Sequence, residues 1–400
     1  MADAEAIVVG GGPAGSTIAA ALAEAGHRVI LLDKAAFPRH KACSEYINAG
    51  AVALLDEMGV LAEAQAAGAH RVEAMVVHAP DGGRFAANIA GVEPGRFALG
   101  LSRYRFDHLL IERAKTSGVE VIERAHVRDL LQAYGAVTGV VATIDGQREE
   151  LRAPLVIGAD GRNSVVARSL GLAKPIRWPK RTGLIAHYRG ASGLGPFGEL
   201  HVGDGFYAGL APLEDGLTNV AIVAPNATVA GRDGSIDDFF ATSLAAMSLV
   251  AEKLSGAERV GSIRGVGSMA SRAGRTNGNG YLLIGDAASF LDPFTGEGIY
   301  EAIRAALLAA PVASAALRRG DLSARSLAAY SRERRRVFTA KREVCWIVQG
   351  FISLPPAMNY VTGRLADREE LGLTLSGVLG NIRPATNALS PGFLARLLRP

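Results

Sequence analysis

The chain has 400 residues, 49% of them apolar and 20% charged, with a formal net charge of +4. That length exceeds the usual single core and implies a globular protein of two lobes. The absence of a Lys/Arg stripe with interleaved aromatics argues against nucleic acid as a partner. Two cysteines, Cys43 and Cys345, supply neither a disulfide framework nor a metal-ligand cluster, so no metal is expected and a reducing, cytoplasmic location fits.

Met1-Ala2-Asp3-Ala4-Glu5 is acidic, runs straight into an apolar stretch and does not read as a signal peptide. No run approaches the roughly 20 apolar residues that span a bilayer. Ala6-Ile7-Val8-Val9 reads as a buried strand, followed by Gly10-Gly11-Gly12-Pro13-Ala14-Gly15 and a helix from Ser16 that Gly26 stops. Val29-Ile30-Leu31-Leu32 is a second strand and ends in Asp33. Strand, glycine turn, helix, strand and acid make the dinucleotide-binding βαβ unit. Gly10 permits the tight turn, Gly12 lets the backbone approach a pyrophosphate, and Gly15 lets the helix pack on the strand. Free N–H groups at the helix start attract phosphate charge. Asp33, 18 residues after Gly15, can accept hydrogen bonds from ribose hydroxyls.

Lys34 to Tyr46 is a loop in which Lys34, Arg39, His40 and Lys41 face a phosphate, an anionic substrate or solvent. A helix follows from about Asn48 to Gly59. Residues 71–100 read as a β excursion around the turn Pro80-Asp81-Gly82-Gly83. A helix through Leu109, Leu110, Ile111 and Ala114 precedes a parallel strand at Val119–Ile122, and a further segment begins at Val127. Val137 to Leu151 is a hairpin. Leu155-Val156-Ile157-Gly158 then opens into Ala159-Asp160-Gly161 and a helix near Ser164. This is either a second point of close approach to a nucleotide or an ordinary strand–turn–helix.

From 176 to 270, short β runs alternate with glycine-rich turns, and a helix spans about Ile236 to Leu254. The texture suggests a sheet lobe covering the ligand. Gly193 to Gly198 also fits the glycine pattern, but no strand precedes it and Pro196 sits where a helix would begin, so it reads as loop. Gly280 to Ile284 is a strand ending in Gly285-Asp286. Pro293, Gly296 and Gly298 shape a loop before a helix from Ile299 to Ala310. Arg332 to Arg342 is basic and Trp346 to Leu354 apolar. That stretch suits contact with an anionic membrane, a shield over an apolar pocket, or a helix with one solvated face.

In order and spacing, the three glycine–acid landmarks resemble the para-hydroxybenzoate hydroxylase-like FAD-dependent oxidoreductases. That superfamily includes single-component aromatic hydroxylases and geranylgeranyl reductases. The resemblance covers roughly residues 5–345. Phe37-Pro38-Arg39-His40-Lys41-Ala42-Cys43 and Asp292-Pro293-Phe294-Thr295-Gly296-Glu297-Gly298-Ile299 resemble the geranylgeranyl reductase-like branch. The implied fold is α/β: a Rossmann-like FAD-binding domain of the glutathione-reductase type, an inserted β-sheet substrate domain and C-terminal helices. Its segments are 1–70, 101–175 and 271–345 for the FAD domain, 71–100 and 176–270 for the substrate domain, and 346–400 for the helices.

The resemblance implies FAD as cofactor, with NADPH or NADH as a transient donor, since no second complete βαβ unit exists. It assigns Gly10, Gly12, Pro13, Ala14 and Gly15 to the pyrophosphate, and Asp33 with Lys34 to the adenosine end. Arg103, in the pattern Arg103-Tyr104-Arg105-Phe106-Asp107, contacts FAD, and the Val127 backbone meets the adenine. Asp160-Gly161 contacts FAD and transient NAD(P)H. Asp286 binds the ribityl chain, while Pro293, Gly296, Gly298 and Ile299 lie beneath the flavin ring.

Two departures rank monooxygenation first. Ser44-Glu45-Tyr46 follow Cys43 where the reductase branch has glycines, and Phe206 to Pro212 lacks its tryptophan. The expected reaction is hydroxylation of an aromatic, phenolic or polyketide-type molecule through a flavin C4a-hydroperoxide. The alternatives are saturation of isoprenoid double bonds and, least, a flavin-binding protein without turnover. The Trp-x-Trp-x-Ile-Pro signature of flavin halogenases is absent. Expected partners are a small apolar or aromatic substrate and a peripheral membrane surface. Cys43, His187 and Tyr207 are the side chains considered near the chemistry, with His201 and Glu297 behind them. Each has a structural alternative, and none is assigned as an acid or base.

Overall fold

The computed structural model describes residues 2–267 and 269–399. Ala6–Val9, Val29–Leu32 and Leu155–Gly158 are buried along their whole length. Such uninterrupted apolar runs suit a parallel sheet covered on both faces. The sheet order is Asn277–Gly278, Tyr281–Leu283, Leu155–Gly158, Ala6–Val9, Val29–Leu32, Glu120–Ile122. All pairings are parallel except that of the Asn277–Gly278 edge.

The helices Pro13–Glu24, Arg103–Thr116 and Gly298–Arg319 cover one face. Their contact is rich in alanine, which lets the helices pack closely. Strands His126–Ala133, Ala136–Ile144 and Gln147–Arg152 form an antiparallel sheet over the other face. This is the expected Rossmann-like, glutathione-reductase-type layering. Gly190 to Pro196 is irregular, as its glycines and proline imply, but a strand, Arg181–Arg189, does precede it, and Phe197 and Gly198 open the next strand rather than continuing the loop.

The second lobe is a seven-stranded sheet. Its order is Glu258–Val266, Arg181–Arg189, Leu217–Pro225, Tyr207–Pro212, Phe197–Val202, Ala74–His78, Arg84–Asn88. Helices Ile236–Ala245 and Ser248–Leu254 cover one face. The C-terminal helices Pro355–Asp367, Glu369–Leu379 and Pro391–Leu398 pack around the Arg84–Asn88 edge.

Several boundaries differ from the sequence reading. The 71–100 excursion divides: Ala74–His78 and Arg84–Asn88 join the large sheet, while His70–Val72 and Ala98–Gly100 pair with Tyr46–Ile47 in a separate one. The 236–254 helix breaks at Met247, whose backbone is extended. Strand Glu258–Val266 was not anticipated, because its exposed polar sequence carries little apolar alternation. The helix expected to end at Ala310 continues to Arg319. Pro311 costs a helix interior about 3 kcal/mol, but it is exposed, and buried Ala306, Ala309, Ala310, Ala313 and Ala316 hold the helix on both sides of it. That helix is long and apolar enough by composition to cross a membrane, contrary to expectation, and half of its apolar window is buried in the protein. The 345/346 boundary falls inside one 29-residue helix, Ala324–Ile352.

Candidate active site

The glycine turn shows which glycines the fold needs and which a ligand needs. Gly10 has φ +103°, and a Cβ there would lie 2.6 Å from Ala159 O; a Cβ on Gly15 would lie 1.8 Å from Gly10 O. Both are required by the chain's own packing. A Cβ on Gly12 would meet nothing closer than Arg103 Nη2 at 3.8 Å. Gly12 therefore faces open cleft. It is also the N-cap of Pro13–Glu24 and offers no capping side chain, so the first-turn N–H groups remain available to an anion.

Asp33 is buried: Oδ2 accepts from Gly11 N at 2.7 Å and Oδ1 from Ala35 N at 2.8 Å. It secures the turn, and each oxygen keeps a lone pair for a ribose hydroxyl. Lys34, Arg39, His40, Lys41 and Val127 line the same groove, so the cationic loop faces it. Asp160 also lines it, but its Oδ2 accepts from Val165 N at 2.6 Å and so caps the short helix Val165–Ser169. Its Oδ1 is buried without a partner among the described residues, and burial pushes the carboxyl pKa up. Gly161, with φ +80°, faces Lys41.

Past Gly12 the groove becomes a deeper cleft. Arg103 is clamped in two places by Asp107, Nε to Oδ1 at 2.5 Å and Nη2 to Oδ2 at 2.7 Å. Arg39 holds the same Asp107 at 2.8 Å. Burial opposes charge on Arg103, but Asp107 outweighs it and raises the guanidinium pKa. Asp286 follows the Tyr281–Leu283 strand and faces Lys41, Arg162 and Arg103; burial pushes its carboxyl pKa up while those cations oppose the shift. Lys41 reaches solvent through the cleft, yet desolvation and then Arg103 lower its ammonium pKa. Arg162 Nη1 has no partner among the described residues. The cleft thus holds a cationic cluster with one facing carboxylate.

Asp292, Pro293–Thr295, Gly296 and Gly298 form the cleft floor. Asp292 Oδ1 accepts from Phe294 N at 3.0 Å, and Gly296 turns at φ +66° against the Tyr46 ring. Pro293, Gly296, Gly298 and Ile299 all line the cleft. No side chain caps the helix that begins at Gly298, so its N–H groups offer positive potential to the floor.

The side-chain candidates separate. Cys43 lines the cleft, and its thiol neighbours Arg103. Tyr207 presents its ring there but donates its hydroxyl to Asp292 Oδ1 at 2.7 Å, which ties the large sheet to the floor loop. Arg181 supports the same Asp292. His187 is buried against Glu45, Nε2 to Oε2 at 2.6 Å, and His201 against Glu199 at 2.8 Å. Each is thus held by a buried carboxylate. Glu297 pairs with Lys341 and Asn381, each at 2.7 Å, and joins the floor loop to the C-terminal helices.

The residue the sequence reading missed is Glu45. It has φ +58°, the left-handed conformation that suits the glycine expected after Cys43. Its carboxylate accepts from Arg103 N at 2.8 Å and Asn219 Nδ2 at 2.8 Å, besides meeting His187. A charge at a glycine-type position was the available signal.

A second cavity adjoins the cleft. It runs between the large sheet and the C-terminal helices, walled by Phe85, Leu210, Val348, Phe351, Leu365 and Phe393 among others. Its walls are almost wholly apolar. It shares Ser44, Tyr46, Leu200 and Gly296 with the cleft. Of the C-terminal apolar stretch, Ile347, Val348 and Phe351 line this cavity, whereas Trp346 and Leu354 are exposed.

A family model described as FAD binding domain matches residues 3–343. A digeranylgeranylglycerophospholipid reductase of Methanopyrus kandleri is 30% identical over 396 residues, covering 94% of this chain and 98% of that protein. A solved geranylgeranyl bacteriochlorophyll reductase-like protein of Thermoplasma acidophilum matches with TM-score 0.79 at 20% identity, over 94% of this chain and 95% of that one. A flavin-dependent brominase matches with TM-score 0.82 at 21% identity, over 94% and 93%. The two structures share a fold, which by itself does not select a chemistry.

Proposed function

The chain belongs to the FAD binding domain family, in its geranylgeranyl reductase-like branch, and from that premise we propose that it saturates carbon–carbon double bonds of an isoprenoid chain. As a member it is an FAD-dependent oxidoreductase. The residues present fit the cofactor: an open Gly12 beside Arg103 and Lys41, two uncapped helix starts and a facing Asp286. The resemblance to a lipid-chain reductase over nearly the whole length favours saturation over the hydroxylation ranked first from motif departures.

The observation that carries the proposal is the apolar cavity opening on the cleft. A phenol needs polar partners at its hydroxyl, whereas a hydrocarbon chain needs only apolar walls. The free bore is about 140 Å³, so a long chain enters by displacing side chains, and the adaptable Met75 and Met358 stand in its wall. Next in sequence to the lining residues Val361 and Leu397 are exposed Tyr360 and Leu398, with Arg364 and Arg396 beside them, a composition suited to taking substrate from an anionic membrane surface.

When bound, FAD would supply a hydride equivalent, two electrons with one of the two hydrogens added, drawn in turn from NADPH or NADH. Arg103 and Lys41 hold the cofactor's charge, and the apolar walls exclude water. Saturation also requires a proton. Ser44 and Tyr46 carry the hydroxyls on the wall shared by the two cavities. Burial, then Glu297, raise the Tyr46 pKa, so its Oη holds a proton beside the chain. Incubating the FAD-loaded enzyme with a reductant and a geranylgeranyl lipid, followed by mass spectrometry, tests the reading. The expected product gains two hydrogens per double bond. An unchanged lipid together with oxygen inserted into a phenolic compound would refute it.

A further inference from the structure

The apolar cavity, the tunnel of the proposed isoprenoid chain, lies on only one side of helix Ala324–Ile352. Val344, Ile347, Val348 and Phe351 face the tunnel, whereas Arg342, Cys345, Trp346 and Gln349 face a separate recess. The recess holds about 520 Å³, within the roughly 300–1,000 Å³ of small-ligand sites. Its far wall includes Phe290 and Gly298, which also line the flavin cleft. It therefore reaches the flavin cleft at Phe290 and Gly298, which the apolar cavity does not touch.

Its chemistry differs from the tunnel's. Arg177, Arg272 and Arg342 line it. Arg342 Nε and Nη2 are buried with no hydrogen-bond partner among the described residues. Trp178 and Trp346 stack with ring centroids 5.7 Å apart and are 44% and 36% exposed. Of the three acids on the wall, Asp292 is engaged by Tyr207 and Arg181, and Glu297 by Lys341 and Asn381. The third, Glu301, has its pKa pushed up to about 7 by burial and then Glu297, against Arg334 and Arg342, so it opposes an anion only weakly.

We propose that this recess binds a phosphorylated pyridine dinucleotide, with its phosphates on the arginines and an aromatic ring on the tryptophan pair. Guanidinium groups match phosphate in charge and in paired donor geometry, and tryptophan faces suit planar bases. A recess of this volume, with unpaired guanidinium donors buried in its wall, fits a small molecule better than the surface of a carrier protein. The inference rests on the flavoenzyme reading, which requires an electron donor, and is independent of the isoprenoid substrate.

The chain has two tryptophans, both in this recess, so intrinsic fluorescence reports on it directly. Titrating the FAD-loaded enzyme with NADP⁺, which cannot reduce the flavin, is expected to quench that emission saturably. Arg342→Gln is expected to weaken binding about tenfold or more. Arg177→Gln, on an exposed segment, gives the same test should the first variant fold poorly. Absence of quenching at millimolar NADP⁺, or quenching that neither substitution weakens, overturns the proposal. Flavin reduction by an acidic iron–sulfur protein but by no pyridine nucleotide overturns it too. An enzyme that leaves isoprenoids untouched yet shows arginine-dependent quenching loses the substrate reading and keeps this site.

Discussion

A methyl group placed on Gly12 or on Gly15 strikes different things. On Gly15 it would lie 1.8 Å from a backbone oxygen, and on Gly12 it would project into free cleft. Gly15→Ala is expected to abolish both folding and flavin binding. Gly12→Ala is expected to keep the circular dichroism of the native protein while losing the flavin absorbance. Glu45 poses the reverse case, a side chain where the backbone suits glycine. Glu45→Ala leaves the Arg103 amide and His187 without their partner and Asn219 with only the Cys43 carbonyl, and should lower stability by about 3 kcal/mol in denaturant titration. Tyr46→Phe removes the shared-wall phenol and should lower kcat by about 100-fold, with flavin content unchanged. The glycine and acid positions were legible because each occupies a fixed place in a strand–turn–helix. Glu45 was not, since its partners Asn219 and His187 lie more than 170 and 140 residues away.

At the scale of elements, helix Ala324–Ile352 stands between the apolar cavity and the arginine-lined recess, and substitutions on its two faces should separate their effects. Val348→Trp narrows the tunnel and should raise KM for long prenyl chains by about tenfold while leaving NADP⁺ quenching in place. The neighbouring helix start carries Glu301, whose folded-state pKa of about 7 lies above the ordinary 4.5. Between those values the folded protein keeps a proton that the unfolded chain has released. Its contribution to stability is therefore fully present below about 4.5 and lost as pH rises through about 7. Glu301→Gln, neutral throughout, should flatten that decline in thermal midpoints measured across the window. The tunnel was hidden from the sequence because its walls come from Met75–Ile89, Glu199–Ala221 and Val344–Leu397, segments that meet only in the folded chain. The C-terminal stretch showed its apolar character but not which cavity it closes.

For the whole molecule, the parallel sheet was readable from its buried apolar runs, and the glycine–acid landmarks at their ends line the cleft and its groove. The sheet lobe was readable in its texture and less so in its edges, where exposed Glu258–Val266 and the divided 71–100 excursion follow tertiary pairing rather than local pattern. The chemistry depended on what the cleft opens into. The central claim is that reduced enzyme passes electrons to an isoprenoid double bond. The most direct measurement is anaerobic stopped-flow absorbance of the photoreduced FAD-loaded enzyme mixed with a geranylgeranyl lipid. The expected result is flavin reoxidation without oxygen, dependent on lipid concentration and slowed by Tyr46→Phe. A flavin that stays reduced against the lipid, but reoxidises with oxygen while hydroxylating a phenol, would contradict it.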